Sequence, residues 1–151
     1  MSTATQLRSY TYDSTQLLKD AGLVATSAAA QVGGSAKRLE VGQGFFKGVL
    51  VIDVTAIEID SSNELYRITV QGSDSPTFAS GIENLASIDL GHTSARSGSA
   101  GTSTVGRYEL PFTNEQNGQS YAYIRVFTTV AGTIATGINY TALVGLDRLP
   151  A

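Results

Sequence analysis

The sequence predicts an all-β protein, an antiparallel jelly roll or β-sandwich of about eight strands with an extended N-terminal arm. Three observations lead to this prediction. Apolar residues alternate with a period of two in the runs that are long enough to form strands. Glycine-rich breaks separate these runs at the spacing that is typical of sandwiches. Good helix formers are scarce beyond the first third of the chain, so crossover helices of a parallel sheet are not expected.

The first twelve residues are polar apart from isolated Leu7, Tyr10 and Tyr12. We interpret residues 1–12 as an arm and residues 13–151 as the sandwich domain. The arm is either a frayed terminus or a segment that Tyr10 and Tyr12 anchor on a neighbouring subunit. Residues 13–22 allow one capped helical turn or the first strand, and we favour extended structure.

Two adjacent aromatic residues, Phe45 and Phe46, follow a glycine-containing break at 42–44. Neighbouring residues of a strand point to opposite faces. If one ring enters the core, the other lies outside it and is available to a partner. The alternative is that loops of the same chain cover both rings.

The longest predicted strand covers residues 47–60 and is apolar on both faces, which is typical of a central strand. A turn at 60–63 leads to a second strand at 65–71, with Tyr66, Ile68 and Val70 facing inward. We expect these two strands to form a hairpin. A further strand is predicted at 82–91, followed by a long exposed loop at 91–106.

The stretch 106–145 carries the strongest β signals. Asn117-Gly118 is the residue pair that a two-residue type I′ turn prefers, and it predicts a hairpin over 107–130. In the second arm of this hairpin, Tyr121, Tyr123, Arg125 and Phe127 share one face, opposite Ala122, Ile124, Val126 and Val130. A third run at 138–144 follows, so we expect this stretch to form the centre of one sheet.

Residues that carry catalytic or metal chemistry are few. The single histidine, His92, lies beside the predicted loop, and Ser99 lacks the spacing of a nucleophile elbow. Residues 60–64 offer oxygen ligands without the spacing of a calcium loop. The chain has no cysteine, which excludes disulfides and thiolate sites. We therefore expect no enzyme activity, no cofactor and no metal site.

The net charge and the hydropathy of the chain indicate which classes of partner are not expected. The formal net charge is −3, and the ten basic residues are scattered, so a nucleic-acid partner is not expected. No window approaches eighteen consecutive apolar residues, and the N-terminus lacks the apolar core of a signal peptide, so no membrane partner is expected.

A sandwich without catalytic signals suggests binding, and two classes of protein compete. A carbohydrate-binding module would present flat aromatic platforms. The chain has no tryptophan, but its seven tyrosines keep this alternative open. An assembly protein would show an arm, exposed apolar side chains and a large polar surface, and these features match residues 1–12, Phe45 and Phe46.

Four segments of the chain share features with one known family. They are Gln-Gly-Ser-Asp at 71–74 with Thr-Phe at 77–78, Leu-Pro-Phe-Thr-Asn-Glu at 110–115, and the runs at 128–134 and 137–142. Together they resemble the capsid cement (decoration) proteins of short-tailed bacteriophages. The resemblance covers roughly residues 35–145, and the N-terminal segment and the 91–106 loop carry none of it. Each segment alone is common among β-proteins.

The resemblance implies a jelly roll that stabilises an icosahedral phage head by bridging major capsid subunits on its outer surface. The implied location is the virion, after synthesis in the bacterial cytoplasm. The implied partners are the major capsid protein and further copies of the chain, as a homodimer or homotrimer. Our candidate residues for these interfaces are Leu7, Tyr10, Tyr12, Phe45 and Phe46.

Overall fold

Two antiparallel β-sheets form the protein in the computed structural model, which describes residues 9–10, 14–96 and 101–148. The strands are β1 (Ser9–Tyr10), β2 (Leu17–Lys19), β3 (Leu23–Val24), β4 (Ala28–Ala29), β5 (Gln31–Val32), β6 (Ser35–Ala36), β7 (Leu39–Glu40), β8 (Lys47–Ile57), β9 (Leu65–Ser73), β10 (Glu83–Gly91), β11 (Gly106–Thr113), β12 (Glu115–Gln116), β13 (Gln119–Ser120), β14 (Tyr123–Ala131), β15 (Ile138–Gly145) and β16 (Asp147–Arg148).

The first sheet has the strand order β10-β9-β14-β4, and β7 also pairs with β14. The second sheet has the order β11-β8-β15-β2, and β3 also pairs with β15. The short strands at the N-terminal side thus complete one edge of both sheets. Three two-stranded ribbons, β1-β16, β5-β6 and β12-β13, lie outside these sheets. An antiparallel β-sandwich is therefore confirmed, whereas the jelly-roll connectivity stays a prediction.

The core consists of the inward-facing side chains of both sheets. Because strand residues alternate between faces, every second residue of β8, β9, β14 and β15 is buried. Fully buried side chains from these strands are Leu50, Ile52, Tyr66, Ile68, Val70, Ile124, Val126, Ile138, Tyr140, Ala142 and Val144. Burial of each large aliphatic side chain contributes about 1.5–3 kcal/mol, which makes this layer the main source of stability.

One hydrogen bond crosses the core between the sheets. The hydroxyl groups of Thr128 in β14 and Tyr140 in β15 lie 2.5 Å apart, and both side chains are buried. Burial raises the pKa of Tyr140, so its hydroxyl stays protonated. The pair satisfies two polar groups that would otherwise be costly in the interior.

The prediction of a central strand with two apolar faces is confirmed by β8. It lies between β11 and β15 in the second sheet. Its inward residues include Leu50 and Ile52, and its outward residues Val49 and Val51 are only 3% and 1% exposed. The inward face predicted for β9 is also confirmed, since Tyr66, Ile68 and Val70 are all fully buried.

The predicted hairpin pairings are wrong. β8 and β9 belong to different sheets, and so do β11 and β14. The stretch 106–145 is therefore divided between both sheets and does not form the centre of one. At the end of a sandwich, a short connection can return to its own sheet or cross to the other. The alternation of apolar residues is the same whether the connection stays in one sheet or crosses to the other, so the sequence pattern cannot distinguish the two connections.

The turn inside that stretch is confirmed. Asn117 and Gly118 have φ angles of 55° and 75°, the positive pair that a type I′ turn requires. The turn closes only the short hairpin of β12 and β13, in which Gln116 pairs with Gln119.

Two further predictions are refined. Residues 14–16 form a 3₁₀ turn that leads directly into β2, so both structures considered for 13–22 occur. The 91–106 loop is anchored where the structure describes it: Ser103 is 4% exposed, and its hydroxyl accepts a 3.0 Å bond from the Gly91 N–H.

The edge away from the short strands is formed by β10 and β11. β10 carries a register shift between Asn84 and Ala86 where it pairs with β9. β11 contains Pro111, opposite Val49 of β8. Proline has no N–H to donate, so within sheets it is confined to edge positions or bulges.

We expect Gly137→Ala to destabilise the protein strongly. Gly137 has a φ of 94°, and an added Cβ would lie 2.0 Å from the Val24 carbonyl oxygen. Strain of this kind costs about 1–3 kcal/mol, which lowers Tm by several degrees in a domain of about 150 residues. Thermal and urea unfolding measure the effect.

Gly44→Ala is the matched control, because an added Cβ at Gly44 meets nothing within 4 Å and its φ is not positive. Its free energy of unfolding should stay within about 1 kcal/mol of wild type. Equal losses in both variants would contradict the strain at Gly137.

Glu58 gives a pH-dependent prediction. Its carboxylate accepts bonds from the N–H groups of Gly137, Thr136 and Ala135 at 2.8, 2.7 and 3.0 Å. These bonds lower the pKa of Glu58 below its ordinary value of 4.5. The stabilisation is therefore complete above the pKa of the unfolded chain and is lost as the pH falls through the lower folded pKa.

We expect Glu58→Gln to lower the free energy of unfolding at pH 7 and to have a smaller effect as the pH approaches 3. Urea unfolding at several pH values tests this. A difference between variant and wild type that does not change with pH would contradict the ionised role of Glu58.

Candidate interaction surface

Three connections meet at one end of the sandwich, which we call the hairpin end. They are the loop 41–46 before β8, the loop 74–82 between β9 and β10, and the segment 114–122 that contains the β12-β13 hairpin. The register places the start of β8 opposite the end of β11, and the start of β14 opposite the end of β9. Both sheets therefore end here together.

A fully buried asparagine, Asn114, holds two of these connections together. Its Oδ1 accepts a 2.8 Å bond from the Phe46 N–H, and its Nδ2 donates to the carbonyls of Gly44 at 2.8 Å and Tyr121 at 3.1 Å. Its backbone N–H donates to the Phe46 carbonyl, and its carbonyl accepts from Tyr121. This network fixes the loop that carries the two phenylalanines.

The third connection is joined to the other two by Asp74. Its Oδ1 accepts a 3.1 Å bond from the Ala122 N–H. Longer contacts of 3.4 and 3.5 Å come from the side-chain amides of Gln43 and Gln119. Ser120 adds a 2.7 Å bond from its hydroxyl to the Gln43 carbonyl. The hairpin end is thus a connected and ordered surface.

The prediction that one phenylalanine enters the core and the other lies outside is confirmed. Phe46 packs against the core, with its ring centroid 6.0 Å from that of Phe112. Phe45 is 64% exposed. The alternative in which loops cover both rings is wrong. Phe46 is therefore a structural residue, and of the two rings only that of Phe45 is exposed.

Two further apolar residues are exposed at the hairpin end, and sequence reasoning missed both. Ile82 ends the 74–82 loop and Leu146 follows β15, and each is 41% exposed. The strand predicted at 82–91 includes Ile82, whereas β10 begins at Glu83. The signal available in the sequence was the position of each residue directly after a glycine, at the edge of a strand.

The predicted arm residues are only partly described. Tyr10 lies in β1, where Ser9 and Tyr10 pair with Arg148 and Asp147 of β16. This portion of the arm is thus joined by its backbone to the C-terminal part of the same chain. Leu7 and Tyr12 lie outside the described residues.

The opposite end of the sandwich carries His92 and residues 60–64, whereas Ser99 lies outside the described residues. His92 Nδ1 accepts a bond from the Ser94 N–H, and the His92 N–H donates to the Glu64 carbonyl. Glu64 is buried, which alone would raise its pKa, but the N–H groups of Ser61, Glu64 and Asn63 lower it. Within the described ranges, no three His, Cys, Asp or Glu side chains are grouped to hold a metal ion.

A cavity of about 470 Å³ lies beside the short N-terminal strands, with Lys19 in its wall. The Lys19 ammonium donates to the carbonyls of Asp20, Gly22 and Tyr140 at 2.9, 3.0 and 2.8 Å, so its three protons are used. Burial lowers the pKa of Lys19, although Asp20 opposes this. Lys19 therefore acts as a structural clamp and is not free to bind a ligand.

Across the residues that the structure describes, no helix is long and apolar enough to span a bilayer.

Asn114→Ala should loosen the hairpin end. The substitution leaves the Phe46 N–H and the Gly44 and Tyr121 carbonyls without their side-chain partner. Each buried unsatisfied group costs about 1–3 kcal/mol, so we expect a loss of at least about 2 kcal/mol. Urea unfolding measures the loss, and hydrogen exchange should show faster exchange at the Phe46 amide.

Gln116→Ala on the exposed β12 strand is the control, with an expected change within about 0.5 kcal/mol. If the Asn114→Ala variant matches this control in stability and in exchange at Phe46, Asn114 does not hold the loop.

No protein-family model matches the sequence, and no curated protein matches it.

Proposed function

We propose that the protein is a capsid cement protein, which attaches to the outside of an icosahedral phage head and bridges major capsid subunits. The observation that carries this proposal is the exposed Phe45 on an ordered loop at the hairpin end. An exposed aromatic ring on a fixed loop is suited to anchoring in a pocket of a partner, because little conformational entropy is lost on binding.

The strand order supports the jelly-roll connectivity that the resemblance implies. The two main sheets have five strands each, in which β10-β9-β14 and β11-β8-β15 are each extended by two short N-terminal strands. Consecutive long strands cross repeatedly between the sheets. A jelly roll consists of two interleaved Greek keys, and this alternation is consistent with that arrangement.

The carbohydrate-binding alternative receives less support. A sugar platform needs the open face of an aromatic ring. On the outer face of the first sheet, the Arg125 guanidinium lies 4.5 Å from the ring centroid of Phe78 and 5.6 Å from that of Phe127. These ring faces are already occupied by a side chain of the protein, so we favour the cement function.

Binding to native phage shells tests the proposal. We expect wild-type protein to sediment with shells and Phe45→Ala to bind at least tenfold more weakly, since aromatic anchors often cost about 2 kcal/mol or more on truncation. The loss should persist at 0.5 M salt, because the contact is apolar. The single substitution is preferred to a Phe45, Phe46 double variant, which would also disturb the core.

Val105→Ala is the matched control, since Val105 is 58% exposed at the opposite end of the sandwich. It should bind shells as wild type does. Equal binding by the Phe45→Ala variant and wild type would refute the role of Phe45. Glycan binding by wild type without binding to shells would favour the carbohydrate alternative.

A further inference from the structure

The outer face of the first sheet carries a row of aromatic and arginine side chains. Along β14, the half-buried residues Tyr123, Arg125 and Phe127 alternate with the fully buried Ile124 and Val126. The alternation predicted from the sequence is therefore confirmed over this strand. It places one guanidinium between two aromatic side chains on a face that does not contribute to the core.

Arg125 is held in a fixed orientation. Its guanidinium lies 4.5 Å from the Phe78 ring centroid and 5.6 Å from that of Phe127, within the range of cation–π attraction. Its Nε donates a 2.9 Å bond to Gln71 Oε1, and Gln71 Nε2 donates a 3.1 Å bond to Asn84 Oδ1. The guanidinium is thus oriented by the protein alone.

The backbone at Phe78 is strained to reach this position. Phe78 has a φ of 55°, which is unfavourable for a bulky residue, and its side chain is 7% exposed. Bonds from the Phe78 N–H to the Ser75 carbonyl and from the Ser73 hydroxyl to the Ser80 carbonyl hold the loop. Such strain is concentrated at positions where a side chain must be placed for function.

The terminal amino groups of Arg125 have no acceptor among the described residues. Two other arginines, by contrast, each bind a carboxylate of the same chain. Arg67 contacts both carboxylate oxygens of Asp89, at 2.7 and 3.1 Å. Arg107 does the same with Asp53, at 2.8 and 3.1 Å. The fork of Arg125, which suits a carboxylate, is therefore left open within this part of the chain.

A second guanidinium, that of Arg38, lies over another ring of the same row. β7 pairs with β14 through Glu40–Tyr123 and Leu39–Ile124, and Arg38 directly precedes β7. The Arg38 guanidinium lies 5.6 Å from the Tyr123 ring centroid. Glu40 shares this neighbourhood, but neither arginine forms an ion pair with it in the described part of the chain. An acidic chain that lies along this row of side chains could contact both guanidinium groups.

We infer that Arg38 and Arg125 form a binding site for carboxylate groups, and that its occupant is an acidic segment of a protein partner. Arginine and aromatic residues are enriched where protein interfaces carry most of their binding energy. The site lies on an open sheet face, which suits a macromolecular partner better than a small ligand in a pocket. Only the identity of the partner, a capsid subunit, rests on the proposed function.

A titration with a defined peptide tests the site without shells. The side-chain Nε–Hε resonances of the arginines are followed by NMR while hexaglutamate is added, with hexaglutamine as the neutral control. We expect hexaglutamate to shift Arg125 and Arg38 and to leave Arg67 and Arg107 unchanged. The affinity should fall as salt increases, because the attraction is between charges.

Variants separate the site from general charge effects. Arg38→Gln combined with Arg125→Gln should weaken hexaglutamate binding at least tenfold, whereas Arg67→Gln should not. Arg125→Lys, which keeps the charge but loses the fork, should restore only part of the affinity. Thermal unfolding verifies that each variant is folded before its binding is compared.

Several results would overturn the inference. The inference fails if hexaglutamate shifts no arginine resonance, or if it shifts those of Arg38, Arg67, Arg107 and Arg125 equally. It also fails if a polyuronate shifts the resonances and the peptide does not. Self-association of the wild type that the double variant abolishes would instead indicate that a second copy of the chain occupies the site. If hexaglutamate binds as expected but wild-type protein does not sediment with shells, the carboxylate site is supported and the cement function is refuted.

Discussion

Mutual burial of the two sheets is the constraint on which the rest of the structure depends. Each sheet has an apolar inner face that would be exposed to water without the other. The inward residues of β8 and β15 pack against those of β9 and β14, and the Thr128–Tyr140 bond is a polar link through this layer. Because the chain has no cysteine, covalent cross-links do not share in this task.

The connections at both ends follow from this arrangement. A chain that crosses repeatedly between sheets must turn over the core, where backbone groups lose their contact with water. The protein satisfies them with its own side chains: Asn114 at the hairpin end, and the carboxylates of Glu58 and Glu64 at the other. Asn114, Glu58 and Glu64 thereby act as internal caps, whereas the Phe45 ring is directed outward.

The sequence predicts what depends on alternation and on local turn geometry. The inward faces of β9 and β14, the two-faced burial of β8, the Asn117-Gly118 turn and the opposed rings of Phe45 and Phe46 all follow from neighbouring residues. The assignment of strands to sheets does not follow from neighbouring residues, because long-range packing decides which sheet each strand joins. The role of Asn114 was also beyond prediction, since its partners at Gly44 and Phe46 lie about seventy residues away along the chain.

The edge formed by β10 and β11 has a consequence for how copies of the protein coexist. An unbroken edge strand is a template for another strand, and molecules crowded together tend to join along such edges into fibres. In this protein, Pro111 removes a backbone donor from β11, and the register shift at Asn84 and Ala86 disrupts β10. These two interruptions make β10 and β11 poor templates for pairing with a strand of another copy, so this edge favours contacts through side chains over contacts through the backbone.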